Sequence, residues 1–180
     1  LKTTKYWHNY WRLRQINWHE HYWSPEHPHR QKIVNILKRF KFRSVLEVGC
    51  AAGSNLYRIK QAFPYCDVGG VDWSAEAIEE AKRMLPRVAV LRVGEATDIY
   101  ISDKGTDILL SDMTYIYLDG KNFKKALKEA KRVTRIGVVF CEFHHKSWLK
   151  RQVLKWTTGY NSYDFERMLK RFGFCDIEIY

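Results

Sequence analysis

The stretch VLEVGCAAGSNL, residues 45–56, carries a short apolar run into Gly49, Ala51 and Gly53 at alternate positions and then into the start of a helical pattern. Small side chains let the backbone turn sharply and approach a ligand closely, and a helix start offers free N–H groups to a carboxylate or phosphate. The spacing separates cofactor classes. A dinucleotide fingerprint begun at Gly49 needs small residues at 51 and 54 with glycine preferred, whereas Ser54 stands at 54 and the glycine comes at 53.

Outward from this loop the chain alternates. Short β-rich runs stand at 44–48, 67–71, 88–93, 107–111, 136–143 and 175–180, and helical patterns at 54–63, 74–85, 121–133 and 162–172, the last with Ser162 as N-cap and Gly173 as stop. Continuous apolar strands between helices predict an α/β fold with a mostly parallel sheet covered on both faces. Ligands in such sheets bind beyond the carboxyl ends of the strands, so function is sought just after each one.

The 180 residues include 31 Lys plus Arg against 20 Asp plus Glu. That length, without a Pro/Gly/Ser linker or a repeat, predicts one domain over 1–180: an aromatic, basic extension over 1–29 and a core over 30–180. The sequence starts at Leu1 rather than Met, as a trimmed chain would. Charge falls in blocks: residues 1–43 and 121–151 are each +8, while 44–120 carry twelve acids against seven bases. A coat for nucleic acid would not leave an acidic middle. The second basic block reads as a solvated helix face, with phosphate contact as the alternative, because Phe123, Ala126, Leu127, Ala130 and Val133 recur at helical spacing between its lysines. Four dispersed cysteines without CxxC predict reduced thiols and a cytoplasmic setting. No run reaches the ~18–20 apolar residues of a membrane span, so no membrane partner is expected.

Downstream residues make the loop specific. The second strand ends in GVDWS, placing Asp72 23 residues beyond Gly49, near the ~20-residue offset at which an acid accepts ribose hydroxyls. The third is followed by VGEATDI, and the fourth reads TDILLSDMTYIYL. In that order these segments resemble motif I and the following elements of class I (Rossmann-like) S-adenosylmethionine-dependent methyltransferases. The resemblance covers roughly residues 30–180, and Ala51 departs from the family's central glycine. It implies a doubly wound sheet and S-adenosylmethionine as cofactor, with S-adenosylhomocysteine as product. It further implies a cofactor set of Glu47, Gly49, Cys50, Ala51, Gly53, Asn55, Leu56, Asp72, Trp73, Glu95, Ala96, Ser111, Asp112 and Met113. Within it Asp72 would hold the ribose diol, Trp73 would pack on adenine, and Glu95 with Ala96 would border the adenine.

Methyl transfer from a sulfonium is an in-line displacement that needs positioning more than any universal catalytic residue. A base for a proton-bearing acceptor should follow strand four or five, where Asp112, Tyr115, Glu142, His144 and His145 stand. Asp112 and His144 are the catalytic candidates; Trp23, Tyr115 and His145 are candidates to face substrate. SDMTY at 111–115 lacks the Asp/Asn-Pro-Pro-aromatic motif of amino-methylating DNA enzymes. The segment also resembles a ribose 2′-O-methyltransferase family, but Glu142 and Phe143 stand where that family has a lysine.

At the N-terminus Trp7, Trp11, Trp18 and Tyr22, separated by 4, 7 and 4, make one helical stripe near Arg12 and Arg14. Three readings compete: packing on the domain, a lid over cofactor and acceptor, or base stacking on single-stranded nucleic acid. HEHYWSPEHPH at 19–29 matches no zinc spacing, so no metal is expected and the segment reads as a loop into a helix at 30–40. The acceptor expected is a small molecule. RNA and a non-catalytic, cofactor-binding subunit are the alternatives. Six strands are found where the family sheet has seven, so either the seventh strand lies outside this sequence or an edge is open to a second copy or a partner chain.

Overall fold

The computed structural model describes residues 4–14, 16–85 and 90–180, with backbone alone at 4, 8, 11 and 12. In chain order the elements are α1 (Thr4–Leu13), α2 (Trp18–Tyr22), α3 (Pro28–Leu37), β1 (Ser44–Val48), α4 (Ser54–Ala62), β2 (Asp67–Asp72), α5 (Ala75–Met84), β3 (Val90–Val93) and β4 (Thr106–Asp112). A single 3-10 turn (Tyr115–Tyr117), α6 (Gly120–Val133), β5 (Thr134–Cys141), α7 (Trp148–Thr158) and α8 (Phe165–Arg171) follow.

The strands lie in the order β3-β2-β1-β4-β5, and every pair is parallel. The inner strands β1, β2 and β4 are buried on both faces almost throughout, which is why they read as continuous apolar runs, while the outer strands β3 and β5 are partly exposed. Val45, Ile108 and Leu110 pack with Ile33 and Leu37 of α3, Leu56 and Ile59 of α4 and Ile78 of α5. Leu46, Val48 and Leu109 face the opposite way, onto Phe123, Leu127 and Val133 of α6 and Phe165 and Leu169 of α8. The α6 stripe is buried as its spacing predicts, with Lys121, Lys124, Lys125 and Lys128 in solvent.

The strand order reverses between β1 and β4, and the register aligns their carboxyl ends. Val48 sits opposite Val71 on one side and Ser111 on the other, while Asp112 pairs with Cys141. The segments after β1, β2, β3 and β4 therefore open into one crevice, at the switch point where α/β sheets bind ligands.

Five elements depart from the sequence expectation. The run at 175–180 forms no strand: Asp176 has φ +50, which breaks an extended path, and Arg39 holds the run through Glu178. Helix α8 starts at Phe165 with Asp164, not Ser162, accepting from the Arg167 N–H as its cap. Helix α3 starts at Pro28, not 30, because proline fits the first helical position and His27 caps it. The aromatic stripe is cut, since α1 ends at Leu13 and α2 begins at Trp18; the Trp11 and Arg12 side chains lie outside the described residues, as do positions 88 and 89 of the expected third strand. Helix α7 had no counterpart in the sequence reading, although Ser147 caps it and Gly159 ends it in the left-handed region.

At the opposite end of the sheet Asp107 ties three strands together. Its Oδ2 accepts from the N–H groups of Arg43 (2.6 Å) and Ser44 (3.2 Å), and Oδ1 accepts from Arg135 Nε (2.8 Å). Removing a buried acceptor orphans its donors at about 1–3 kcal/mol. Asp107→Ala should therefore lower the thermal midpoint by roughly 2–12 °C, at about 2–4 °C per kcal/mol. An unchanged midpoint in calorimetry would show that the tie contributes nothing.

Candidate active site

The loop after β1 is built on left-handed backbone: Gly49 has φ +74, Ala51 +47 and Gly53 +84. At Gly49 the need for glycine is double, because a Cβ would stand 1.9 Å from Thr114 Oγ1. At Gly53 it would stand 2.5 Å from a methyl of Leu85. Ala51 adopts the same region at a cost of about 1–2 kcal/mol. What holds it there is Asp72, whose Oδ2 accepts from the Ala51 N–H at 3.0 Å while Oδ1 accepts from the Ser74 N–H at 2.9 Å. One carboxylate thus clamps the loop after β1 to the start of α5. Burial pushes it up to about 6 against those two bonds, which pull it down.

A second buried network lies beside it. Glu47 Oε1 accepts from Asn55 Nδ2 at 2.6 Å, and Oε2 has no partner. Burial pushes this carboxyl up to about 8, so it holds a proton at neutral pH. Asn55 Nδ2 also donates to Asp112 Oδ2 at 3.0 Å. Arg30 Nη1 reaches both, donating to Asn55 Oδ1 at 2.9 Å and to Asp112 Oδ2 at 2.7 Å. The other Asp112 oxygen lies 3.0 Å from His29 Nε2. The line Glu47, Asn55, Arg30, Asp112, His29 therefore joins β1, α4, α3 and β4.

These groups surround a cavity of about 560 Å3. Glu47, Gly49, Cys50, Ala51, Asn55, Asp72, Trp73, Glu95, Ala96, Asp112 and Met113 all line it, so eleven of the fourteen expected cofactor residues meet in one place. The other three lie behind the lining. Gly53 caps α4, Leu56 is in the core, and Ser111 donates its hydroxyl to Glu142 Oε1.

Of the catalytic and substrate-facing candidates, only Asp112 reaches the cavity. Tyr115 is fully buried in the core with its hydroxyl on Ala126 O, because Met113 takes φ +54 and turns the chain inward after β4. His144 Nδ1 accepts from the Phe165 N–H, and His145 follows it along the Tyr163 backbone. Trp23 packs edge-on against Tyr57. Glu142 is structural: Oε1 accepts from Ser111 Oγ and from the N–H groups of Thr114 and Tyr115, and burial pushes the carboxyl up to about 7.

The N-terminal segment supplies the wall that the sequence left undecided. Trp7 is buried, lines the cavity, and packs on Tyr117 (5.1 Å between ring centroids) and Tyr160 (5.0 Å, stacked). Trp18 and Tyr22 line it as well. The segment is tied down where Ser54 Oγ donates to Tyr22 O at 2.7 Å and accepts from the Ser24 N–H at 2.8 Å, and where His19 meets Glu80. The segment thus packs on the domain and lines the cavity at once, and Arg14 lies over the ring of Tyr10. His29 and Arg30 were missed. Their only local signal is the SPEHPHR run, where proline at the first helical position puts both in the first turn of α3.

The four histidines of residues 19–29 do not converge: His19 meets Glu80, His21 meets Asn17 O, His27 caps α3 and His29 meets Asp112. His29, Asp112 and Cys141 do bring ligand atoms within 4.8 Å of one another. However, Arg30 already neutralises Asp112, and burial pushes the Cys141 thiol up to about 12, so the set keeps a cation and a proton where a metal needs neither.

A family model for a methyltransferase domain matches residues 45–137, more than half of the chain and the segment from β1 into β5. Trans-aconitate 2-methyltransferase of Afipia carboxidovorans is 25% identical over 88 residues, 49% of this chain and 33% of that protein, so the chain spans about a third of that relative's length. Among solved structures, YcgJ of Bacillus subtilis superposes with a TM-score of 0.68 at 17% identity, covering 81% of this chain and 68% of that one. A geranyl diphosphate methyltransferase solved with S-adenosylmethionine superposes at 0.65 and 18% identity, covering 80% and 63%. With the matched segment carrying the left-handed loop, Asp72 and the parallel sheet, the chain belongs to the class I S-adenosylmethionine-dependent methyltransferases.

Proposed function

We propose that this chain transfers a methyl group from S-adenosylmethionine to a small-molecule acceptor bearing an ionisable O–H, N–H or S–H, with His29 receiving the acceptor's proton. The observation that carries this reading is that the loop after β1, the carboxyls of Glu47, Asp72 and Asp112, and the N-terminal aromatic wall all line one shared cavity. Its volume falls in the ~300–1,000 Å3 range of small-ligand sites. The names of the relatives, a trans-aconitate and a geranyl diphosphate methyltransferase, also point to small acceptors. Four free cysteines fit a reducing, cytoplasmic setting.

In this reading Asp72 accepts from the ribose hydroxyls, Trp73 and Ala96 border the adenine, and the unpartnered Glu47 Oε2 faces the positive end of the cofactor. When bound, S-adenosylmethionine supplies an electrophilic methyl on a sulfonium. The chain's part is to orient, exclude water and move one proton. In this reading Asp112 accepts from Arg30 through one oxygen and orients the His29 ring at Nε2 through the other, so that Nδ1 is the nitrogen left for the acceptor. Nδ1 takes the proton of the acceptor as the acceptor's own lone pair takes the methyl. Trp7, Trp18 and Tyr22 keep water out.

Calorimetric titration of S-adenosylmethionine and S-adenosylhomocysteine tests the ribose contact. Asp72→Ala should weaken both by roughly 10–100-fold, the loss of charge-assisted hydrogen bonds of about 1.5–3 kcal/mol. Unchanged affinity would remove the assignment.

Protonation gives a second test. A cationic ligand favours the carboxylate forms of Glu47 and Asp72, which burial holds up to about 8 and about 6. Binding should release protons between pH 6 and 8, and affinity should rise with pH there, by up to about tenfold per unit for one proton. S-adenosylhomocysteine, lacking the sulfonium charge, should show a weaker slope. The ligand-free fold has the opposite trend. These raised carboxyls add stability that is complete below their ordinary values, 4.5 for Glu47 and 3.8 for Asp72, and is lost as pH rises through about 8 and about 6 respectively. Titrations in buffers of different ionisation enthalpy read the released protons; equal slopes for the two ligands would refute the charge contact.

His29→Gln should lower kcat by about 10²–10⁴ on phenol, thiol or amine acceptors and leave S-adenosylmethionine affinity within about twofold. A variant that keeps kcat would exclude His29 as the base.

A further inference from the structure

We propose that α7 is an interfacial helix that seats this protein on an anionic lipid surface. Its amphipathicity is inverted. Leu149, Val153 and Trp156 recur at i, i+4 and i+7, are 64%, 53% and 88% exposed, and form one stripe turned to solvent, with Trp148 beside it at 65%. The half-buried side of the helix holds Arg151, Leu154 and Lys155 instead. No residue of α7 is buried. Eleven residues are marginal as a free-standing helix in water, and large apolar side chains aligned in solvent mark an interaction face.

The charge around the stripe selects what covers it. From Phe143 to Tyr163 there is no Asp or Glu, and the segment carries Lys146, Lys150, Arg151 and Lys155. Lys146 is paired with Glu166, and Arg151 donates to the carbonyls of His145 and Lys146, which leaves Lys150 and Lys155 without an ion pair among the described residues. A second copy docked on this stripe would stack cations against cations. Nucleic acid satisfies the cations but offers nothing to Leu149 and Val153, which have no ring to stack. An anionic bilayer satisfies both, with aliphatic side chains below the headgroups, tryptophans at headgroup depth and lysines on the phosphates. The helix is too short and too charged to cross a membrane, and no helix among the described residues is long and apolar enough to do so. It is also coupled to the cavity. Gly159 ends α7 with φ +81, and the next residue, Tyr160, stacks on the cavity-lining Trp7.

This goes beyond the methyltransferase reading and does not depend on it, so the test reads partition rather than turnover. The full chain is sedimented with vesicles of phosphatidylcholine alone or mixed with phosphatidylglycerol, at low and high salt. Partition into the anionic vesicles only, weakened by salt, is expected. The double variant Leu149→Glu/Trp156→Glu, both positions being in solvent, should keep its thermal midpoint and S-adenosylmethionine binding and lose partition by at least about tenfold. Lys150→Gln/Lys155→Gln should lower partition on the order of tenfold and flatten the salt dependence. Failure to bind anionic vesicles overturns the proposal, as does undiminished binding by the first variant. Self-association abolished by Trp156→Glu, or RNA retention abolished by it without vesicle binding, would reassign the face and overturn it equally.

Discussion

The structure around the cavity depends on one carboxylate. Asp72 ends β2 under the turn that follows β1, and its two oxygens hold the N–H of Ala51 and the N–H of Ser74. The first bond keeps an alanine in a left-handed conformation that alanine disfavours; the second starts α5. Without the clamp, Ala51 would relax toward ordinary φ and the spacing of small residues from Gly49 to Gly53 would lose its shape. Burial is what makes the clamp rigid, and the same burial lifts the acid toward neutrality. A group that shapes the site and is poised to titrate in it therefore follows from one placement.

The neighbouring network balances charge by a different route. Asp112 carries Arg30 on one oxygen and His29 on the other, while Asn55 relays to Glu47. Because Arg30 neutralises Asp112, the buried acids Glu47 and Asp72 bear the desolvation, and their raised values record it. Burial holds these two acids toward their protonated forms. Evenly paired acids would not couple cation entry to proton loss, whereas acids held up by burial would do so under the proposed reading.

The legible parts of the molecule were those written in local sequence. The runs at 44–48 and 121–133, the small-residue loop and Asp72 are found where spacing put them, since each depends on neighbours a few residues away. His29 and Arg30 were illegible because their partner Asp112 lies 83 and 82 residues off, and nothing near position 30 announces it. Tyr115 misled for a conformational reason: the left-handed Met113 reverses the alternation expected past a strand end and sends the ring into the core. His144 and His145 misled because the chain after β5 runs beside Tyr163 rather than over the cavity. Helix α7 escaped because a stripe search assumes the apolar side faces the domain, and here it faces out.

The blocks of charge along the chain acquire separate meanings once placed. The acidic middle supplies Glu47, Asp72, Glu95 and Asp112 to the cavity lining. The basic first block lines it too and contributes His29 and Arg30, the groups that pair with Asp112. The lysines of α6 stand on a solvated face whose opposite side is the core. The cations of residues 143–163 differ from all of these, because no acid lies among them and the apolar side chains they flank have no core to enter. A net positive charge spread evenly would raise solubility and little else. Here the cations of residues 143–163 sit around an outward apolar stripe joined to the cavity wall through Tyr160 and Trp7, so the same stretch that leaves the stripe in solvent also carries the charge that would select what covers it.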